Sequence, residues 1–243
     1  MHTFAHSIEV KEVSDVLNLH ELIQRNDLEG VLRIAKEFHG HVCPYLALGI
    51  RVSVIAMREL GVNRMGFNES VDEEILAIVE TNSCFTDGVQ VATGCTFGNN
   101  SLIYFDLGKT ALTLVKRSNW NGVRIYVDAD KIKKYYSSEA LELFNKVIKQ
   151  RKGSFEERKR MGILWEEMGY RMLKISKEEL NIEKVKVKPI EQAPIFESVR
   201  CSKCGELTMI EKVVNVNGDY LCMRCSQESY HAVIGRGIVE VRS

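Results

Sequence analysis

Net charge is the first thing this chain lacks: 33 Lys and Arg balance 33 Asp and Glu. No overall field therefore draws it to nucleic acid or to anionic membrane. It also lacks a long hydrophobic run. A spanning helix needs ~18 apolar residues or more, and the most apolar segment, Tyr45 to Met57, is interrupted by Arg51. The opening MHTFAHSIEVKEV has neither a basic start nor an apolar signal core. Internal repeats and low-complexity segments are absent. Nucleotide signatures are absent too. Gly108-Lys109-Thr110 resembles the end of a phosphate loop, but the glycine needed five positions earlier is Ile103. Gly94 to Gly98 lacks the Gly-x-Gly-x-x-Gly spacing. These features predict a cytoplasmic protein with reduced thiols and no membrane partner.

Cysteine is what the chain does have, seven in all. Four form one pattern: Cys201-x-x-Cys204, seventeen residues, then Cys222-x-x-Cys225. Each pair puts two sulfurs on one tight turn, and the segment between can fold back to join them. That spacing predicts a tetrahedral four-thiolate zinc site, normally a structural one. Two disulfides would need an oxidising compartment, and a rubredoxin-like iron site shares the spacing. Asn217-Gly218 between apolar runs predicts a hairpin turn. SQESYHAV after the second pair can open a helix near Met223. A knuckle, a hairpin and a helix make a treble clef, favoured here over a zinc ribbon. From Pro189 to Ser243 there are six Lys/Arg and seven Asp/Glu. Such a module is a poor non-specific nucleic-acid binder. A structural or dimer-forming role therefore comes first, contact with a protein partner second, and nucleic acid third.

The rest of the chain reads as an α+β core domain. Residues 1–24 read as partly helical. Leu28, Val31, Leu32, Ala35 and Phe38 recur at helical spacing, predicting an amphipathic helix over 27–38 with Asp27 as N-cap. A turn follows, and Pro44 suits the first turn of a buried helix over 44–60, stopped by Gly61. Glu74 to Thr81 reads as a buried strand, and Phe85 to Thr93 as a short helix closed by Gly94. Leu102–Asp106 and Thr110–Lys116 read as a strand pair joined through Leu107-Gly108-Lys109. Val123–Val127 adds a strand, and Glu139–Lys149 and Phe155–Lys174 are helical. Strands before helices suggest α+β rather than alternating βαβ. Val185 to Val199, with Pro189 and Pro194, reads as a linker or extended arm. The expected division is 1–188 for the core domain, and 189–243 for the linker and zinc module. Residues 131–160 hold ten Lys/Arg against four Asp/Glu. This reads as the solvated face of two helices.

Two stretches could carry chemistry. In FHGHVCPYLALGIR, residues 38–51, His41-x-Cys43 sits at a helix entry, whose positive end favours thiolate. His39 and His41 could add imidazole ligands. In TNSCFTDGVQVATGCTFGNNS, residues 81–101, Cys84 lies between strand and helix, with Asp87 three residues on and Cys95 after Gly94. If the stretches meet, His41, Cys43, Cys84 and Asp87 share one cleft, with Cys95 a further candidate. The cysteines would be soft ligands for a second, transition metal, with Asp87 orienting a histidine. Alternatively a thiolate is a nucleophile with His41 as its base. The plainer alternative is that lone cysteines are small core residues.

These stretches resemble the E-subunit family of formylmethanofuran dehydrogenase. The family pattern is met at His39, Gly40, His41, Cys43, Pro44, Leu46 and Gly49. It is met again at Cys84, Asp87, Gln90, Thr93, Gly94, Cys95, Thr96 and Gly98. The resemblance covers about residues 30–120. It implies an α+β core, a homodimer that is often intertwined, and a His/Cys-lined cleft where a metal can bind. Many members also end in a four-cysteine zinc module. One departure is that Asn99-Asn100-Ser101 stands where members often carry glycine-lysine-glycine-asparagine. The named enzyme works at a molybdenum or tungsten pterin on other subunits. This chain has no pterin signature and no ferredoxin-type cysteine cluster, so it does not read as the pterin-bearing catalytic component. The expected function is a metal-binding accessory protein of anaerobic one-carbon or molybdenum/tungsten metabolism, with enzymatic activity of its own left open. The alternative is a non-enzymatic zinc-finger protein acting in regulation through protein or nucleic-acid contacts.

Overall fold

A computed structural model describes residues 18–242. Residues 1–17 of the segment read as partly helical lie outside the described residues. The remainder of that segment begins helix α1, Leu19–Gln24. Helix α2, Leu28–His39, starts where Asp27 accepts from the Gly30 amide at 2.8 Å. It stops at Gly40, whose left-handed backbone and amide bond to Lys36 O close the last turn. Helix α3, Pro44–Leu60, is buried on nearly all sides and ends at Gly61. Helix α4, Phe67–Val71, leads to strand β1, Ile75–Val79, buried at every position. Helix α5 spans Cys84–Thr93.

Strands β2 (Leu102–Tyr104), β3 (Ala111–Lys116) and β4 (Asn121–Tyr126) follow. Helices α6 (Ala129–Ile132), α7 (Ser138–Leu143) and α8 (Phe155–Met172) come next. Strand β5, Asn181–Lys186, returns to the sheet. The order is β2-β1-β3-β4-β5, with β2 parallel to β1 and the other neighbours antiparallel. The expected α+β class holds, with two corrections. Strands β2 and β3 are not a hairpin, because β1 lies between them. The connecting loop straddles the end of β1, with Phe105 N bonding Val79 O and Lys109 N bonding Glu80 O, each at 2.9 Å. An all-apolar strand needs a partner on both edges to satisfy its buried backbone; β2 and β3 are those partners, and the loop caps the strand's end. The second correction is β5, whose last residues fall in the segment read as a linker. Its pattern of alternating charge belongs to an edge strand.

Helices α3 and α5 cover one face of the sheet. The other face carries a small cluster of Leu76, Ile78 and Val115, covered by Val187 and Ile190 of the arm after β5. The arm is pinned: Arg117 Nη1 donates to Ile190 O at 2.6 Å, and Ala193 N donates to Glu73 Oε1 at 2.9 Å.

Beyond the arm come β6 (Ser198–Arg200) and β7 (Leu207–Met209), then β8 (Val213–Val216) and β9 (Asp219–Cys222). Helix α9 is one turn, Met223–Ser226, and hairpin β10–β11 (Tyr230–Ile234, Gly237–Val241) follows. Knuckle, hairpin and helix therefore occur in treble-clef order. The helix expected through SQESYHAV stops at Ser226, and Tyr230 to Ile234 is strand instead. Tyr, Val and Ile suit a pleated surface better than a helix. No helix among the described residues is long and apolar enough to cross a membrane.

Candidate metal centre

Two glycines bring the core site together. A Cβ at Gly49 of α3 would overlap the Phe85 carbonyl oxygen of α5, and a Cβ at Gly88 would overlap the Leu46 carbonyl oxygen. Without side chains at these points the two helix backbones pack in contact. The start of α3 then faces the start of α5. Cys43 is the N-cap of α3, and its sulfur accepts from the Leu46 amide at 3.4 Å. His39 ends α2, and His41 lies in the link between.

The donor atoms of His39, His41 and Cys43 lie within 4.8 Å of one another. The His39 and His41 ring centroids are 4.6 Å apart, and Trp165 of α8 stacks on His41 at 6.4 Å. His39 Nδ1 is bound to Asp87 Oδ2 at 2.6 Å. Asp87 is itself held, since Gln90 Nε2 donates to its Oδ1 at 3.2 Å and Phe97 N donates to Gln90 Oε1 at 3.2 Å. His39 Nε2, by contrast, is buried and has no hydrogen-bond partner. A buried ring nitrogen without a partner is costly unless something else binds it. One nitrogen fixed by a carboxylate and the other bare is how metal-ligating histidines are held.

Cys84, at the first turn of α5, faces Cys43 and His39. Hydrogen bonding with the Cys43 thiol, aided by His39 and opposed by burial, brings Cys84 down to about 6. The same pairing, with burial, pushes Cys43 up. Burial, then repulsion from His39, lowers His41 and keeps its imidazole neutral, the form that binds metal. Cys95 stands apart. It is fully buried, with its sulfur 3.8 Å from Ile75 O, and burial pushes it up to about 12. Of the expected cleft residues, His41 and Cys43 fall in one donor group, Cys84 lies beside Cys43, and Asp87 reaches that group through His39; only Cys84 and Asp87 line the neighbouring cavity. The structure adds His39 to the His41–Cys43 cluster and leaves Cys95 in the core. Soft sulfur and imidazole nitrogen in one set suit a transition metal.

A cavity of about 340 Å³ opens beside this cluster. Its lining mixes polar groups, among them His39, Cys84, Asp87 and Gln90, with apolar ones, among them Leu102, Phe97 and Val233 of β10. Val233 had no local signal, because a contact across some 150 residues leaves no trace in spacing.

At the other centre, Cys201, Cys204, Cys222 and Cys225 place their sulfurs within 4.8 Å of one another. Cys204 and Cys222 sulfurs are 4.0 Å apart. Four thiolates about 2.3 Å from one zinc would be about 3.8 Å apart. The set fits a four-coordinate metal.

Residues 38–182 match the model of FmdE, described as the molybdenum formylmethanofuran dehydrogenase operon family. A probable S-adenosyl-L-methionine-binding protein of Archaeoglobus fulgidus is 60% identical over 216 residues, covering 89% of this chain. The chain spans 57% of that relative's length. The crystal structure of a tungsten formylmethanofuran dehydrogenase FmdE-like protein from Syntrophus aciditrophicus is similar, with a TM-score of 0.53 and 25% identity. That likeness covers 82% of this chain and 91% of the other.

Proposed function

The chain belongs to the FmdE family, and from that premise we propose a metal-binding accessory protein with two metal sites, serving anaerobic one-carbon or molybdenum/tungsten metabolism. Cys201, Cys204, Cys222 and Cys225 hold a structural zinc. In the core, His39, His41 and Cys43 hold a transition metal, with Cys84 beside them as a further thiolate. Asp87 orients His39 and does not itself bind the ion. The observation that carries this reading is the bare, buried Nε2 of a histidine whose Nδ1 is fixed by Asp87.

A metal here would supply a Lewis-acidic centre on the wall of the cavity. The chain's own groups would bind and orient a small molecule against it: Gln90 and Asp87 by polar contact, Leu102 and Tyr104 by packing. The protein works as a cytoplasmic homodimer in this proposal, and light scattering gives the oligomeric state. S-adenosyl-L-methionine, named in the Archaeoglobus relative, is the first small molecule to titrate against the cavity.

Elemental analysis of protein purified without oxygen tests the metal reading. Two metals per chain are expected in the wild type and one in His39→Ala and Cys84→Ala, with thermal stability close to wild type. One metal per chain in all three proteins would leave the core site without an ion and sink the proposal.

A further inference from the structure

Hairpin β10–β11 lies at the far end of the chain from the core cavity, yet it sits on its rim. Asn82, in the link from β1 to α5, donates from Nδ2 to Ile234 O at 2.6 Å. Across the opening, Ile238 N donates to Asp106 Oδ2 at 2.8 Å. Asp106 is aimed by Tyr104, whose hydroxyl donates to Oδ1 at 2.7 Å. Asn82 and Tyr104 are themselves cavity wall. The hairpin is therefore tied to two segments that line the cavity, with its turn between the two anchors. Gly237 makes the approach possible: its φ is +113°, and a Cβ there would collide with the Asp106 carboxylate. Val233, next to the Ile234 anchor and paired with Ile238, lines the same cavity as Cys84, Asp87 and His39 while staying partly exposed. Only four residues separate Cys225 of the four-cysteine site from Tyr230, so the hairpin is tethered closely to that site.

We propose that the terminal hairpin is a clasp over the core cavity, and that Val233 is a specificity-determining residue limiting the size of molecules that reach Cys84 and Asp87. The ligand class it admits is small and amphipathic, matching a lining that mixes polar and apolar groups. The four-cysteine module then holds the clasp in place. The clasp is independent of any core metal.

Graded thiol reagents test it. Iodoacetamide and N-(1-pyrenyl)maleimide are applied to the full-length protein, and modification of Cys84 is followed by peptide mass spectrometry. The readout is the ratio of bulky to small reagent rates. A core metal shields Cys84 from both reagents, so the ratio reports the mouth, and elemental analysis of the same samples scores the metal reading separately. Losing one charge-assisted hydrogen bond shifts docking by roughly tenfold, so Asp106→Ala should raise the ratio by about that factor. Val233→Ala and Gly237→Val should raise it too, and Val233→Trp should lower it. Hydrogen exchange over residues 230–241 should quicken in Asp106→Ala. An unchanged ratio in every variant, or exchange over 230–241 as fast in the wild type as in Asp106→Ala, overturns the clasp.

Discussion

A carboxylate on one nitrogen of an imidazole decides which nitrogen is left free. Asp87 does this for His39, and Gln90 keeps Asp87 from turning away. Replacing Asp87 by Asn removes the charge and lets the ring take the other tautomer. The proposed core metal should bind about 10- to 100-fold more weakly in Asp87→Asn, while the four-cysteine metal stays. Competition against a coloured chelator measures this, and equal affinity in both proteins would reduce Asp87 to a helix-surface residue. The cysteines divide by surroundings rather than by sequence. Cys43 and Cys84 face polar partners at helix starts. Cys95 is fully buried, and burial raises its thiol despite Thr93, the backbone at Ala77 and the charge of Arg64.

At the scale of elements, the crossing of α3 and α5 sets the site. Gly49 and Gly88 allow it, and each would overlap a main-chain carbonyl if it carried a side chain. Gly49→Ala should cost about 1–3 kcal/mol of stability through overpacking. It should also weaken the proposed core metal, because it separates the helix starts that present Cys43 and Cys84. Urea denaturation and metal competition on the same variant check both. A loss of stability with full metal affinity would show that the crossing is not what aligns the ligands. The sheet shows the same dependence on partners. Strand β1 is apolar throughout and takes β2 on one edge and β3 on the other.

At the scale of the molecule, the two parts of the described chain differ in what holds them. The core buries a continuous apolar cluster from Leu22 to Leu180. Past residue 188, Cys201 is the one buried apolar residue among those described. A segment without a hydrophobic core would depend on the proposed metal to fold. Removing the metal with a strong chelator should therefore release exchange protection from residues 198–226 and leave the five-stranded sheet protected. Hydrogen exchange with and without chelator checks this. Loss of protection throughout would mean that the module and the core unfold together.

What sequence alone determined here is local. The Asp27 cap, Pro44 and Gly61 around α3, the Asn217-Gly218 turn and the two Cys-x-x-Cys knuckles each depend on residues a few positions apart. Backbone geometry resolves such spacings without help. The family was legible as well, because its motif is short and dense in histidine, cysteine and glycine. Tertiary structure decided the rest. His39 meets Asp87 across 48 positions, and Asn82 meets Ile234 across 152. It placed β1 between β2 and β3, ran the end of β5 into a segment read as a linker, and left Cys95 in the core. Contacts of that range depend on which faces must be buried together, and hydrophobic packing of the whole chain sets them.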